Sequence, residues 1–281
     1  MGVTTRPVWV AVVRVIGVGL ILTACGAGSG ASDATAPATT RPTAVTTTTT
    51  PITPTTVVTV PEPPLTTSTT TVTTMPEPEP QPVALAPGDR GPQVVRLQEA
   101  MAAAGFFRDV ADGVFGERTA TAVVAVHKAL DVDRVAAWSV EDWAALAAYH
   151  GPVLPDRPTE PDRVEVDLTH QLLYRVQGGA VVDIIPVSSG NGSLYQDASG
   201  QLVTARTPQG DFAFYKHYDG WRISYLGGLY RPWYFTGGYA IHGSASVPGY
   251  PASHGCVRVP NWEADHLWGV LRIGLPVHVW S

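Results

Sequence analysis

Cysteine is nearly absent from this chain: two in 281 residues, at Cys25 and Cys256. So few thiols allow one disulfide at most and no thiolate-rich metal site. The histidines do not compensate, because HxxxH or HxxE spacings with a third ligand are missing, so no metal is expected. No Gly-rich phosphate loop joins a strand to a helix, and no cofactor is called for. Basic clusters are lacking as well. With a formal charge of −6 and scattered Lys and Arg, nucleic acid is excluded as a partner. Long apolar runs are missing too, since Val15–Ala24 falls short of the roughly 20 residues of a comfortable membrane span.

What is present begins with that short run. Arg6 and Arg14 flank an apolar core, and small residues follow at Ala24, Gly26, Ala27 and Gly28. Residues 1–24 therefore have the layout of a secretory signal. Leu22-Thr23-Ala24-Cys25 resembles a bacterial lipoprotein box, which implies lipidation of Cys25 and anchoring to the membrane on its outer side. Lipidation would withdraw Cys25 from disulfide pairing and leave Cys256 as a free thiol. Residues 25–82 are dominated by Thr, Pro, Ala and Val, with Pro-Glu-Pro-Glu-Pro at 76–80. Such a stretch buries too little apolar surface to offset chain entropy and reads as a disordered, partly polyproline II linker. It would carry the rest of the chain from the membrane into a wall.

Two folded parts are expected, 83–150 and 162–281, separated by the Pro-rich stretch 151–161. In the first, Val94, Leu97, Met101 and Ala104 recur at helical spacing after Pro92, and Gly105 ends the run. Thr119, Val123, Val126 and Leu130 repeat the pattern. Ser139 and Asp142 form a capping box ahead of Trp143 and Leu146. The expectation is a small three-helix bundle. Gly88-Asp-Arg-Gly91, Leu97-Gln98, Gly105-Phe106-Phe107, Asp112-Gly113-Val-Phe-Gly116 and Thr119–Val123 resemble the peptidoglycan-binding domain of wall enzymes. His127 stands where that family usually has Gln, and its second Asp-Gly turn is absent around 131–136. A spacer that binds nothing is the alternative.

From residue 162 the chain turns to short β-type runs. Val164–Leu168 alternates apolar and polar residues as a half-buried strand does, and Gly178-Gly179 marks a hairpin between 171–176 and 181–187. Further strands are expected at 210–217, 221–225, 233–235, 239–242, 256–259 and 276–280, with one helix at Asn261–Val270. The result is a mostly β domain with a single flanking helix.

The chemistry-bearing residues lie in Ile241-His242-Gly243 and Ser253-His254-Gly255-Cys256-Val257-Arg258. A thiol with a pKa of about 8.5 is mostly protonated at neutral pH, and a neighbouring imidazole removes that proton. His242 ends a strand and is the better base, while His254, two residues from the thiol, shapes the turn. Gly255 lets the backbone bend beside the nucleophile, and the amides of His254, Gly255 and Cys256 are then candidates to face an oxyanion, the arrangement that the resemblance given next implies.

These motifs resemble the signature of the L,D-transpeptidases with a YkuD-type catalytic domain. Supporting matches are Val164–Tyr174, Val187-Ser-Ser-Gly190 and Thr207-Pro208-Gln209-Gly210. Only ten residues separate His242 from Ser253, at the short end for that family, so the loop over the site should be small. The resemblance implies an L,D-transpeptidase β-sandwich acting on peptidoglycan stem peptides without metal or cofactor. Cys256 would form a thioester at the third stem residue, and an amine of a neighbouring stem would resolve it as a 3→3 cross-link. The carbonyl of Gly243 would orient His242, and Arg258 would hold a substrate carboxylate. Tyr225, Trp233 and Tyr239, with Tyr230 and Tyr234, are candidates for a substrate groove. A structural ion pair for Arg258 and core packing for at least two of the aromatics are the alternatives. An L,D-carboxypeptidase uses the same residues with water as acceptor. A wall-binding lipoprotein with a dead site would have lost some of them. A papain-like protease would place its Cys before its His.

Overall fold

The computed structural model describes residues 81–281. The signal-like segment 1–24, the lipidation candidate Cys25 and the linker up to residue 80 lie outside the described residues.

Three helices open the described chain: α1 Pro92–Ala103, α2 Glu117–Ala129 and α3 Val140–Ala147. Pro92 stands in the first turn of α1, where a missing N–H costs nothing. The Ser139–Asp142 box caps α3 reciprocally: Ser139 N donates to Asp142 Oδ2 (2.6 Å) and Asp142 N to Ser139 Oγ (3.2 Å). Val94, Leu97, Met101, Val123, Val126 and Trp138 fill the space between the helices.

The strands follow: β1 Arg163–Asp167, β2 Leu172–Gln177, β3 Ala180–Pro186, β4 Leu194–Gln196, β5 Leu202–Thr204, β6 Gly210–Ala213, β7 Lys216–His217, β8 Trp221–Ser224, β9 Gly227–Thr236, β10 Tyr239–Ser244 and β11 Val257–Pro260. Helix α4 (Asn261–Val270) and β12 (Pro276–Trp280) complete the chain. One sheet runs β3-β2-β1-β12-β6 and a second runs β11-β10-β9-β7, with β8 pairing β9; β4 and β5 form a separate hairpin. The pairs β1–β12 and β10–β11 are parallel and the others antiparallel.

Side chains alternate across a strand, and here that alternation builds two cores. Val164, Val166, Leu173 and Ile185 of the first sheet meet Trp233, Phe235, Ile241, Val257 and Val259 of the second, closed at one side by Ala264 and Leu267 of α4. The opposite parity on the first sheet, Leu172, Tyr174 and Ile184, enters the core of the helices. At about 1.5–3 kcal/mol for each large apolar side chain buried, these three make a firm join. The helices and the sheet thus share one core across the Pro-rich stretch 151–161.

One expectation is corrected. The alternating Val164–Leu168 predicts a half-buried strand, yet all five residues of β1 are buried. Charge pairing makes this possible. Glu165 accepts from Arg163 Nε (2.6 Å) and Trp280 Nε1 (3.0 Å), and Arg157 of the Pro-rich stretch lies 3.4 Å away.

Candidate active site

Strand β10 carries His242, and β11 begins one residue after Cys256. Ile241 pairs with Val257 and His242 with Arg258. Alternation then sorts the side chains. Ile241, Val257 and Val259 enter the core between the sheets. His242, Cys256 and Arg258 face the other way, into a cleft of about 740 Å³. Strand β9 follows the same rule, with Tyr234 beside Ala240 on the cleft side and Trp233 beside Ile241 in the core.

His242 is buried, and its Nδ1 lies 2.8 Å from the carbonyl oxygen of Gly243. A carbonyl only accepts, so Nδ1 carries the proton and Nε2 keeps its lone pair. Burial pushes the imidazole pKa down to about 4; the Gly243 bond opposes that and the charge of Arg258 adds to it. The base is therefore neutral at neutral pH. Burial also raises the pKa of the Cys256 thiol, against a backbone hydrogen bond from Ala240 and the charge of Arg258. The thiol itself approaches Gly238 O at 3.9 Å and is partly open to solvent. A neutral thiol and a neutral base lining one cleft suit proton transfer during attack rather than a stored ion pair.

The turn before β11 is built by small groups. Gly255 sits at φ +133°, and a Cβ there would lie 2.5 Å from Tyr239 Cε1 and 2.9 Å from Arg206 O. Ser253 Oγ donates to Cys256 O (2.6 Å) and accepts from Gly255 N (2.9 Å). The Gly255 amide, expected to face an oxyanion, is thus already engaged. Thr207 Oγ1 donates to Gly255 O (2.8 Å) and accepts from Gly190 N (3.0 Å), tying the Thr-Pro-x-Gly turn to the nucleophile. At Gly243 a Cβ would meet Asn261 Oδ1 at 2.8 Å and Tyr230 Cδ1 at 2.9 Å, so only glycine lets β10 pack on α4 here.

Arg258 lines the cleft, and no carboxylate pairs with it among the described residues. That removes the structural ion pair as its explanation. Tyr239 lines the cleft, and Tyr225 does so from the tip of the β8–β9 hairpin. Trp233 does not. It is a core residue, stacked on His217 at 4.5 Å and near Phe214 and Trp268, because its parity is that of Ile241. Tyr230 hydrogen-bonds Asp265 away from the cleft. His254 lines the cleft with its ring edge-on to Tyr195 at 4.9 Å.

Tyr195 and Arg222 were not singled out from sequence. Tyr195 rides on the exposed three-residue strand β4 and lines the cleft together with Tyr225. Arg222 comes from β8, within the strand expected at 221–225. Among the described residues no three His, Cys, Asp or Glu side chains are grouped to hold a metal ion.

The sequence profile of YkuD, the L,D-transpeptidase catalytic domain, matches residues 161–279. No curated protein matches the chain. Among solved structures, an L,D-transpeptidase from Xylanimonas cellulosilytica is similar at 43% identity, covering 72% of this chain and 99% of that one with a TM-score of 0.66. An L,D-transpeptidase (Yku) from Stackebrandtia nassauensis is similar at 21% identity over 70% of this chain and 97% of that one, with a TM-score of 0.40, too loose a match to carry detail. By the profile and the first of these relatives, the chain belongs to the L,D-transpeptidase family, its catalytic domain of the mostly β YkuD type.

Proposed function

We propose that the protein is a cell-envelope L,D-transpeptidase in which Cys256 is the nucleophile and His242 its base. The observation that carries this is the shared cleft face of His242, Cys256 and Arg258, with His242 held in the tautomer that leaves Nε2 free. Cys256 Sγ attacks the carbonyl of the third residue of a tetrapeptide stem as His242 takes the thiol proton. The amide bond to the terminal D-Ala breaks, the D-Ala amine leaves with the proton from His242, and a thioester remains. A side-chain amine of a neighbouring stem then attacks the thioester carbonyl, the C–S bond breaks, the amine's proton passes through His242 to the departing Cys256 sulfur, and the new amide is a 3→3 cross-link. Since Ser253 Oγ occupies the Gly255 amide, oxyanion stabilisation falls to the N–H groups of Cys256 and His254. Unpaired Arg258 holds a substrate carboxylate, and Tyr225 and Tyr239 line the stem.

The partial solvent access of Cys256 favours one second reading, hydrolysis of the thioester by water as an L,D-carboxypeptidase. The remaining parts of the proposal follow the sequence. Cys25 anchors the chain outside the cell membrane, the Thr/Pro-rich linker spans into the wall, and the helical segment contacts peptidoglycan.

The test incubates the protein with purified disaccharide-tetrapeptide and reads the products by mass. A dimer lacking one D-Ala establishes transpeptidation, and a tripeptide alone means carboxypeptidase activity. No turnover, with Cys256 still alkylated by iodoacetamide, transfers the role to wall binding. Incorporation of a fatty-acid label, lost in Cys25→Ala, tests the anchor.

A further inference from the structure

Two basic side chains of the helical segment reach backbone carbonyls beneath the Cys256 turn. Lys128 of α2 is fully buried and donates from Nζ to Gln171 O (3.1 Å) and Val187 O (2.8 Å). Arg134, in the loop after α2, donates to Gly249 O (2.7 Å) and Thr169 O (3.2 Å). A buried ammonium satisfied only by carbonyls is costly. Burial, with the charge of Arg134 adding, pulls the pKa of Lys128 down to about 7. A methionine would fill the same space without that penalty, so space-filling does not explain the residue.

The carbonyls held in this way lead directly to the nucleophile. Val187 precedes Ser188, which exchanges both backbone hydrogen bonds with Arg258, each at 3.0 Å. Ser189 O accepts from Ser253 N (2.9 Å) and Ala252 N (3.0 Å). Gln171, at φ +59°, fastens Ser189 from below, its Oε1 accepting from Ser189 N at 2.8 Å and its Nε2 donating to Ser189 Oγ at 2.7 Å. Gly249 belongs to the loop joining His242 to Ser253, and a Cβ there would lie 3.1 Å from Arg134 Cβ. Lys128 thus holds one side of the turn and Arg134 the other.

We propose that Lys128 and Arg134 are positioning residues, through which the helical segment sets the two loops that hold Cys256 against His242. The segment is then part of the machinery of thiol reactivity and not an appended binding module alone. This rests on the reading of Cys256 as the reactive thiol.

The test follows alkylation of the full chain by iodoacetamide against pH, read by mass on the peptide containing Cys256, with melting temperature measured alongside. Arg134→Met is expected to slow alkylation at neutral pH, by up to about 10²-fold if the turn moves by about 1 Å, and to shift the pH profile toward that of a free thiol. Arg134→Lys, which keeps a donor, should recover part of the rate. Lys128→Met should slow the reaction without lowering the melting temperature; if that variant does not fold, the Arg134 pair decides. Folded variants with the wild-type rate and profile would overturn the positioning role. So would a loss that follows the melting temperature and is not rescued by lysine. A wild-type thiol no more reactive than free cysteine would sink the enzymatic reading and the positioning together, whereas a reactive wild type with unaltered variants sinks only the latter.

Discussion

His242 directs its Nδ1–H at the carbonyl of the next residue, Gly243, 2.8 Å away. A carbonyl orients the ring as a carboxylate would but supplies no full negative charge to stabilise an imidazolium. With burial and Arg258 acting together, the pKa falls to about 4. The base works only when deprotonated, so activity should be retained down to acid pH and lost as pH falls through about 4. A profile of kcat/KM against pH checks this; an acid limb near the ordinary histidine value, about 6.5, would contradict it. His242→Gln should lower kcat/KM by about 10²–10⁴-fold.

The same residue makes a prediction for stability. His242 titrates at about 6.5 in the unfolded chain and at about 4 in the folded one. Its contribution is therefore fully present above the unfolded value and declines as pH falls, because the unfolded state takes up the proton first. The loss by pH 4 is on the order of 3 kcal/mol. Denaturant melts of wild type and His242→Gln across this window should converge as pH falls.

Arg258 lowers the pKa of both His242 and Cys256. In Arg258→Gln both should rise, moving the acid limb of the rate profile to higher pH. The variant also loses the cation proposed to hold a substrate carboxylate, a bond worth about 1.5–3 kcal/mol, so KM should increase by at least tenfold. Steady-state kinetics at several pH values separate the two effects. An unchanged KM would remove Arg258 from substrate binding.

Much of the fold was legible because short β-type runs broken by turn residues mark β2, β3 and β10, and helical spacing marks α1 to α3. The β4–β5 hairpin was not. Its strands have three residues each and are mostly exposed, so no burial pattern marks them. Trp233 was misplaced because a tryptophan in an aromatic run says nothing of parity until its neighbour across the sheet is known. Lys128 was invisible for a different reason: a lysine in a helix reads as solvated, and its carbonyl partners lie 43 and 59 residues away. At the site, His242 and Cys256 could be read from motif chemistry, whereas the engagement of the Gly255 amide by Ser253 depends on three-dimensional closure of the turn.

Gly255→Ala should be the most damaging small change near the nucleophile. Its φ of +133° lies where side chains are strained, and the added Cβ meets both a ring and a backbone carbonyl. Strain of this kind costs about 1–3 kcal/mol. Shortening the neighbour in Gly255→Ala/Tyr239→Ala should not restore activity, because Arg206 O still lies 2.9 Å from the new carbon. Alkylation rates and melting temperatures of the single and double variants give the answer. Full rescue by the second substitution would mean that the ring alone imposes glycine.

Thr207 separates the support of the turn from the chemistry carried on it. Its hydroxyl joins Gly190 N to Gly255 O and touches neither Cys256 nor His242 through a hydrogen bond. Thr207→Val keeps the shape and removes both bonds, leaving a buried N–H and C=O without their partner at a cost of about 1–3 kcal/mol each. The variant should melt lower and react more slowly, while the acid limb set by His242 stays near pH 4. Thr207→Ser, which keeps the hydroxyl, should restore most of the rate. If the limb moved in Thr207→Val, the turn would be setting the environment of His242 as well as the position of the thiol.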